Sequence, residues 1–403
     1  MKKTIISLAA ASLVASSAMA ADKGINFTTT GQAVLYYQTA NTDVSDLFKQ
    51  KQSVANFGVQ LNNDADLGNG YLFGSQLSYL GTAGLEKKLV GGTKQNAGTL
   101  YNTTDEIALT KIYVAKKVAN TTVKVGRQEL PQSLSPLAYT ESFNVFKNTY
   151  DAVVVVNTDL PKTTLVGAMV GKSTGQDLNK LENLQVNGSL DVNGAAYMLT
   201  AVNSSLPMTT LTGTVYALRS VTTVDSAVAL WADAQIADKS FPMGLQVGVQ
   251  TGMILPKASG LNDTVAFGLK ATAKPMPELK VCGAFSYVND GTAHVINTGS
   301  AATSPLYTQM VVNGEAISTD NSSFMVAGNY ALGKELGNVI GRFGYTVDNS
   351  NNNNDTTEFD LMYKTKLAGA TVFAAYVYTK DDKKIGKSKD GTNIIRAWAR
   401  YAF

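Results

Sequence analysis

From residue 25 onward the chain alternates. Ile25, Phe27, Ala33, Leu35 and Tyr37 share one parity, and Asn26, Thr28, Thr30, Gln32 and Gln38 take the other. Phe57, Val59 and Leu61 then oppose Asn56, Gln60 and Asn62. Near the end, Phe359, Leu361, Tyr363 and Leu367 oppose Glu358, Asp360, Lys364 and Lys366. A period of two marks strands with one apolar and one wetted face. Such segments, about 10 residues each, recur along the whole chain. Tilted near 40°, each covers roughly 25 Å, the height of the apolar band of a transmembrane barrel.

The connectors sort into two kinds that take turns. Short ones include "NNDADLGNG" (62–70), "AN" (119–120), "DLPK" (159–162) and "AGA" (368–370). Longer ones fall around 81–105, 130–149, 172–193 and 290–320, among others. Short turns on one side and long loops on the other predict an up-and-down antiparallel β-barrel of about 18 strands. No domain boundary interrupts it.

The last strand, "NIIRAWARYAF", runs to the final residue. It predicts Ile395, Ala397, Ala399, Tyr401 and Phe403 facing lipid, with Arg396, Trp398 and Arg400 facing inward. Tyr401 and Phe403 then sit at interfacial depth. The strand has to pair with the first one, because an open edge in hydrocarbon strands backbone groups at several kcal/mol each. A terminal Phe with an aromatic two residues before it also resembles the signal read by the barrel-assembly machinery.

Composition narrows the classes. Of 403 residues 16% are charged, with 35 Gly and 9 Pro, and the formal net charge is +3. The mean hydropathy of -0.02 excludes a bundle of membrane helices. A single cysteine, Cys282, excludes an intramolecular disulfide, and with His294 the only histidine, Cys/His metal clusters are excluded. Residues 1–20 read as a secretory leader: Lys2 and Lys3, a short apolar core, then Ala18-Met19-Ala20 as the cleavage site. Removing those two lysines from +3 leaves +1 for the mature chain, residues 21–403, so no nucleic-acid surface is on offer.

The stretch "VKVGRQELPQSLSPLAYTESFNVFKNTYDAVVVVN" (123–157) resembles the fifth strand, inward-folded third loop and sixth strand of large bacterial porins. With the leader, the hairpin before it and the terminal strand, the chain resembles the major outer membrane porins of Campylobacter-type bacteria, relatives of the OprD-like channels. The resemblance implies an eighteen-stranded barrel, usually trimeric, in the bacterial outer membrane. It implies passage of small hydrophilic solutes. The residues themselves lead to the expectation of a passive channel for such solutes and ions, with no cofactor and no enzymatic chemistry.

A barrel of this size encloses water, so function depends on what narrows it. The third long connector carries Pro131 and Pro136, which disfavour strand pairing, and Leu134, Leu137, Tyr139, Phe143 and Phe146, apolar enough to pack on a wall. Glu129 and Glu141 are expected to supply the negative side of an eyelet. Inward-parity Lys124, Arg342, Arg396 and Arg400 are expected to supply the positive side, with Glu358 and Asp360 as wall partners. Opposed charges across a constriction orient dipolar solutes and bias ions. Arg127 and Arg219, on the outward parity, belong to the outer rim.

Enzyme readings do poorly. "VGAMVGKS" (166–173) lacks the first Gly of a phosphate loop and sits in a strand-like run. His294 reads as a solvated loop residue and Cys282 as a lumenal thiol. "DNSNNNNDTTEFD" (348–360) lacks the spacing of a calcium loop. Two rivals to a passive porin stay open: a substrate-specific channel of the same architecture, and a plugged barrel serving as a surface adhesin.

Overall fold

The alternating segments close into a cylinder. A computed structural model of the chain describes residues 25–41, 45–95, 103, 105–142, 144–186, 190–222, 224–350, 354–382 and 391–403. Residues 1–20, expected as a leader, and Phe143 lie outside the described residues. Eighteen long strands form the wall among them. They are β1 Asn26–Ala40, β2 Ser53–Gly68, β3 Tyr71–Gly81, β4 Glu106–Val118, β5 Thr121–Gln128 and β6 Tyr150–Asn157. Then come β7 Thr163–Ser173, β8 Ala196–Asn203, β9 Thr209–Arg219, β10 Ser226–Ala237, β11 Gln246–Pro256 and β12 Thr264–Met276. The circuit ends with β13 Leu279–Val288, β14 Asn321–Gly333, β15 Gly337–Asp348, β16 Thr356–Leu367, β17 Ala370–Asp381 and β18 Thr392–Ala402.

Each strand pairs antiparallel with its neighbour in chain order. The last returns to the first, from Ala40↔Ile394 to Gln32↔Ala402. Beyond that register the Phe403 N–H donates to the Gly31 carbonyl at 2.9 Å, so pairing runs to the final residue. The sheet has no open edge, which is the condition for crossing hydrocarbon.

The two faces divide as the alternation requires. Large apolar side chains stand exposed on the outside: Leu199, Val326, Phe343, Leu361 and Tyr401. The inward face holds Gln60, Gln76, Gln250, Ser286 and Asp360, all buried. A water-soluble sandwich has the opposite arrangement, with its apolar face buried.

Two local features depart from the sequence expectation. The stretch 62–70 was expected as a turn, yet β2 continues through Gly68 and only Asn69-Gly70 turns, both at positive φ (53° and 76°). That is the backbone a two-residue hairpin needs. Asn62, Asp64 and Asp66 point into a wetted interior, so a strand can carry them. In β4, the register shifts between Gln76↔Lys111 and Leu77↔Leu109, a bulge that turns both Thr110 and Lys111 inward.

Short turns join the strands at one end and nine loops at the other, here L1 to L9 in chain order. L2 spans 82–105, L3 spans 129–149 and L7 spans 289–320. L4, 174–195, contains a small hairpin, Glu182–Gln185 with Asp191–Val192. At the loop end, Leu130, Leu137, Val295, Leu306 and Ile317 pack with inward Tyr216 and Leu218 in one apolar cluster.

Candidate pore constriction

L3 touches two separate stretches of wall. On one side, Thr200 Oγ1 of β8 donates to the Leu134 carbonyl at 2.9 Å, and the Leu137 N–H donates to Tyr216 Oη of β9 at 3.1 Å. On the other, Arg400 Nη2 of β18 donates to the Val145 carbonyl at 2.8 Å. Phe146 lies over Gly58 of β2, where a Cβ would stand 2.7 Å from the ring. Gln95 of L2 holds the Phe146 peptide from both sides, donating to its carbonyl at 3.1 Å and accepting its N–H at 2.6 Å.

The sequence marks L7 only as a long connector. Its 32-residue stretch is nevertheless deeply built in: Asn297, Met310, Ile317 and Ser318 are all fully buried. Met310 fills the space above Gly344 of β15 that a side chain would otherwise take. Tyr307 donates to Asp233 of β10, accepts from Gln235 Nε2 at 2.6 Å, and receives the Lys270 ammonium over its ring at 4.1 Å. Burial and the Asp233 carboxylate both push the Tyr307 hydroxyl well above its ordinary pKa. His294, expected in water, is half-buried beside Ser318 (Nδ1 to Oγ 3.3 Å), and burial lowers its pKa.

Glu141 joins the two loops. Its Oε1 accepts from Asn297 Nδ2 at 2.7 Å, from Thr303 Oγ1 at 2.5 Å and from Ser300 Oγ. Asn148 Oδ1 accepts the Glu141 N–H at 2.7 Å. Only 7% of Glu141 is exposed, so its charge goes into docking L3 on L7.

Glu129 also has local partners. It pairs with Lys111 at 2.6 Å and Lys147 at 2.8 Å. Burial works to raise its pKa, but the two ammonium groups prevail and hold the carboxyl below the ordinary range. Lys124 lies beside this pair with its ammonium 3.7 Å from the Tyr113 ring centre. Glu129 therefore sits on the same wall as the lysines, and the bulge at Thr110 is what aims Lys111 at it.

Arg396 and Arg400 lie on β18. Arg396 Nε donates to Gln38 Oε1 at 3.0 Å, and the Arg400 guanidinium is 5.2 Å from the Trp398 ring centre. Among the described residues neither forms an ion pair. Lys94 of L2 comes close: burial, with Arg396 adding to it, lowers its pKa to about 8. Arg342 stands opposite Asp360 in the β15–β16 register. Asp360 and Glu358 are 0% and 1% exposed, under L7. Glu358 Oε1 accepts the N–H groups of Val311 and Val312 at 2.8 and 2.9 Å. Tyr401 and Phe403 stand outside, exposed, with their rings 6.4 Å apart.

The eight inward candidates thus separate into three groups: a Lys111–Glu129–Lys147 cluster beside Lys124, the Glu141 clamp, and a band from Arg342 to Arg400 with Glu358 and Asp360. Between L3, L7 and β8–β12 lies a cavity of about 630 Å³ lined by Trp231, Asp233, Gln235, Gln250 and Lys270. Cys282 faces inward as a free thiol, and "VGAMVGKS" lies within β7, away from any helix that would complete a phosphate loop.

No family model matches the chain, and no curated protein sequence does. Solved structures do. The chain is similar to OccK8 (OprE) of Pseudomonas aeruginosa, at 13% identity and a TM-score of 0.76, covering 94% of this chain and 98% of that one. It is similar to OpdK of the same organism, solved with vanillate, at 12% identity and 0.77, covering 93% and 98%. OccAB3 of Acinetobacter baumannii gives 13%, 0.74, 94% and 99%. At such low identity, what the chain shares with these proteins is their fold: a closed eighteen-stranded barrel along nearly its whole length.

Proposed function

We propose that this chain is an outer-membrane porin, a water-filled channel for passive diffusion of small hydrophilic solutes and ions. One observation carries the reading: a closed cylinder with apolar side chains outside and amides, hydroxyls and charges inside. The inner wall of β1–β4 is a continuous polar lattice. Gln32 donates to Gln60 at 2.5 Å, Gln60 to Gln76 at 3.1 Å, and Gln76 to Asn62 at 2.6 Å. Such a wall serves no purpose in a dry core. Its likeness in fold to the Occ structures supports the same assignment, and the outer membrane as its place.

L3 and L7 together form the constriction, and size exclusion there sets what passes. The charge bias is anionic, because Arg396, Arg400 and Lys94 lie on one wall while Glu129 and Glu141 are occupied by local partners. No covalent step takes place and no cofactor takes part. The finer kinship is with the Campylobacter-type porins, on the residues quoted for it, and copies assemble as homotrimers delivered by the barrel-assembly machinery.

Planar-bilayer recording of the purified chain under a KCl gradient tests this. Stepwise conductance with a reversal potential on the chloride side is expected. Conductance that one small carboxylate saturates would favour the substrate-specific channel. A barrel that never conducts would leave only the adhesin reading.

A further inference from the structure

The outward face of the barrel is not uniform around its circumference. On the nine strands β13–β18 and β1–β3, every strand carries at least one outward aromatic ring, among them Phe324, Tyr345, Phe359, Tyr376 and Tyr401. On the nine strands β4–β12 only Tyr197 and Phe267 point outward, and Phe267 is on the last of them. The rings of that half point the other way: Tyr150, Tyr216 and Trp231 are buried inside. Outward rings at headgroup depth mark a wall that meets lipid. One half of this molecule has them on every strand, the other half on two strands of nine.

The ring-poor half has relief instead. Ala201, Gly213, Ala232 and Thr251 lie side by side in register across β8–β11, all exposed. Above them runs the parallel row Leu199, Val215, Leu230 and Met253. The small row opens as two adjoining outward hollows of about 490 and 450 Å³. A few strands away, on β4–β7, Ile107, Leu109, Ile112, Val114, Val125 and Met169 project from the wall. At the outer rim the same half also carries a charge cluster: Arg127 pairs with Asp151 at 2.8 Å, and Lys172 stands opposite Asp151 in the β6–β7 register. Such a cluster gives polar contacts at the edge of the face.

We propose that β4–β12 is the surface through which copies of this chain associate, the ridge of β4–β7 on one barrel seating in the small-residue hollow of β8–β11 on the next. This rests on the barrel's standing in a membrane, and it names the face, whatever the number of copies. The area is of the right size: an arc of roughly 55 Å by 25 Å offers about 1,400 Å², which ridge and hollow share, leaving about 700 Å² for each contact. Standard interfaces bury about 600–1,000 Å² per partner. Ridge and hollow are unlike patches, so the contact is head-to-tail and closes into a ring.

Disulfide trapping in native outer membranes tests the face. In a Cys282→Ser background, Val125→Cys combined with Gly213→Cys should give crosslinked multimers, and Phe343→Cys on the other half should give none. Crosslinking through Phe343→Cys alone would overturn the proposal. So would a chain that sediments as a monomer carrying lipid A on its ring-poor face. Ala232→Trp, or the milder Thr251→Leu, should fill the hollow and release multimers at lower temperature while each barrel keeps its single-channel conductance. Multimers whose dissociation neither filling changes would count against the interface. A barrel that crosslinks as expected but does not conduct would instead refute the porin assignment alone.

Discussion

Glu141 shows how a single side chain can hold a large feature in place. Three donors from L7 converge on one oxygen, and Glu141 and Thr303 are both buried. Glu141→Ala would leave those donors buried without an acceptor, at roughly 2–4 kcal/mol of docking energy. The expected result is a looser L3–L7 contact, read as faster protease nicking of L7 and a larger, noisier conductance. Lys94 gives a pH effect. Its pKa of about 8 lies below the ordinary value of 10.5, so its charge is present at pH 7 and gone by pH 9. The reversal potential should move away from chloride selectivity across that interval, and Lys94→Met should flatten the change. Between about 8 and 10.5 the unfolded chain binds the extra proton, so stability rises with pH there.

At the scale of elements, the strands were legible and the loops largely were not. Alternation in β1, β16 and β18 announced both faces, because oil and water on opposite sides leave no choice of residue class. The end of β2 misled for the same reason: Asn62, Asp64 and Asp66 look like turn residues, but a strand facing an aqueous lumen carries them equally well. The bulge at Thr110 was silent because Thr110 and Lys111 are both polar and either could face inward. In L3, Pro131, Leu137 and Phe146 mark a segment apolar enough to pack on a wall. L7 carries no such mark, since Asn297, Ser300 and Thr303 gain their role only from an acid about 160 residues away in the chain. Glu358 and Asp360 were read as open wall for want of knowing that L7 covers them. Shortening L7 across 303–312 is expected to uncover Glu358 and widen the channel, seen as a conductance increase of about twofold or more if L7 narrows the lumen as proposed. Deleting Phe403 removes the last rung between β18 and β1, and should slow barrel assembly, visible as unfolded protein that persists on heat-modifiability gels.

Over the whole molecule, one feature has a mechanical side. L3 is fastened to β8 and β9 at one end and to β18 and β2 at the other. A wide cylinder of a single sheet has little of its own to resist flattening across the lumen. A segment bonded to both sides acts as a cross-strut, and keeps the section round without adding a single strand. On the proposed function, the 21 residues of L3 would then serve both sieving and resistance to crushing, so a change there that enlarges the passage is expected also to soften the tube.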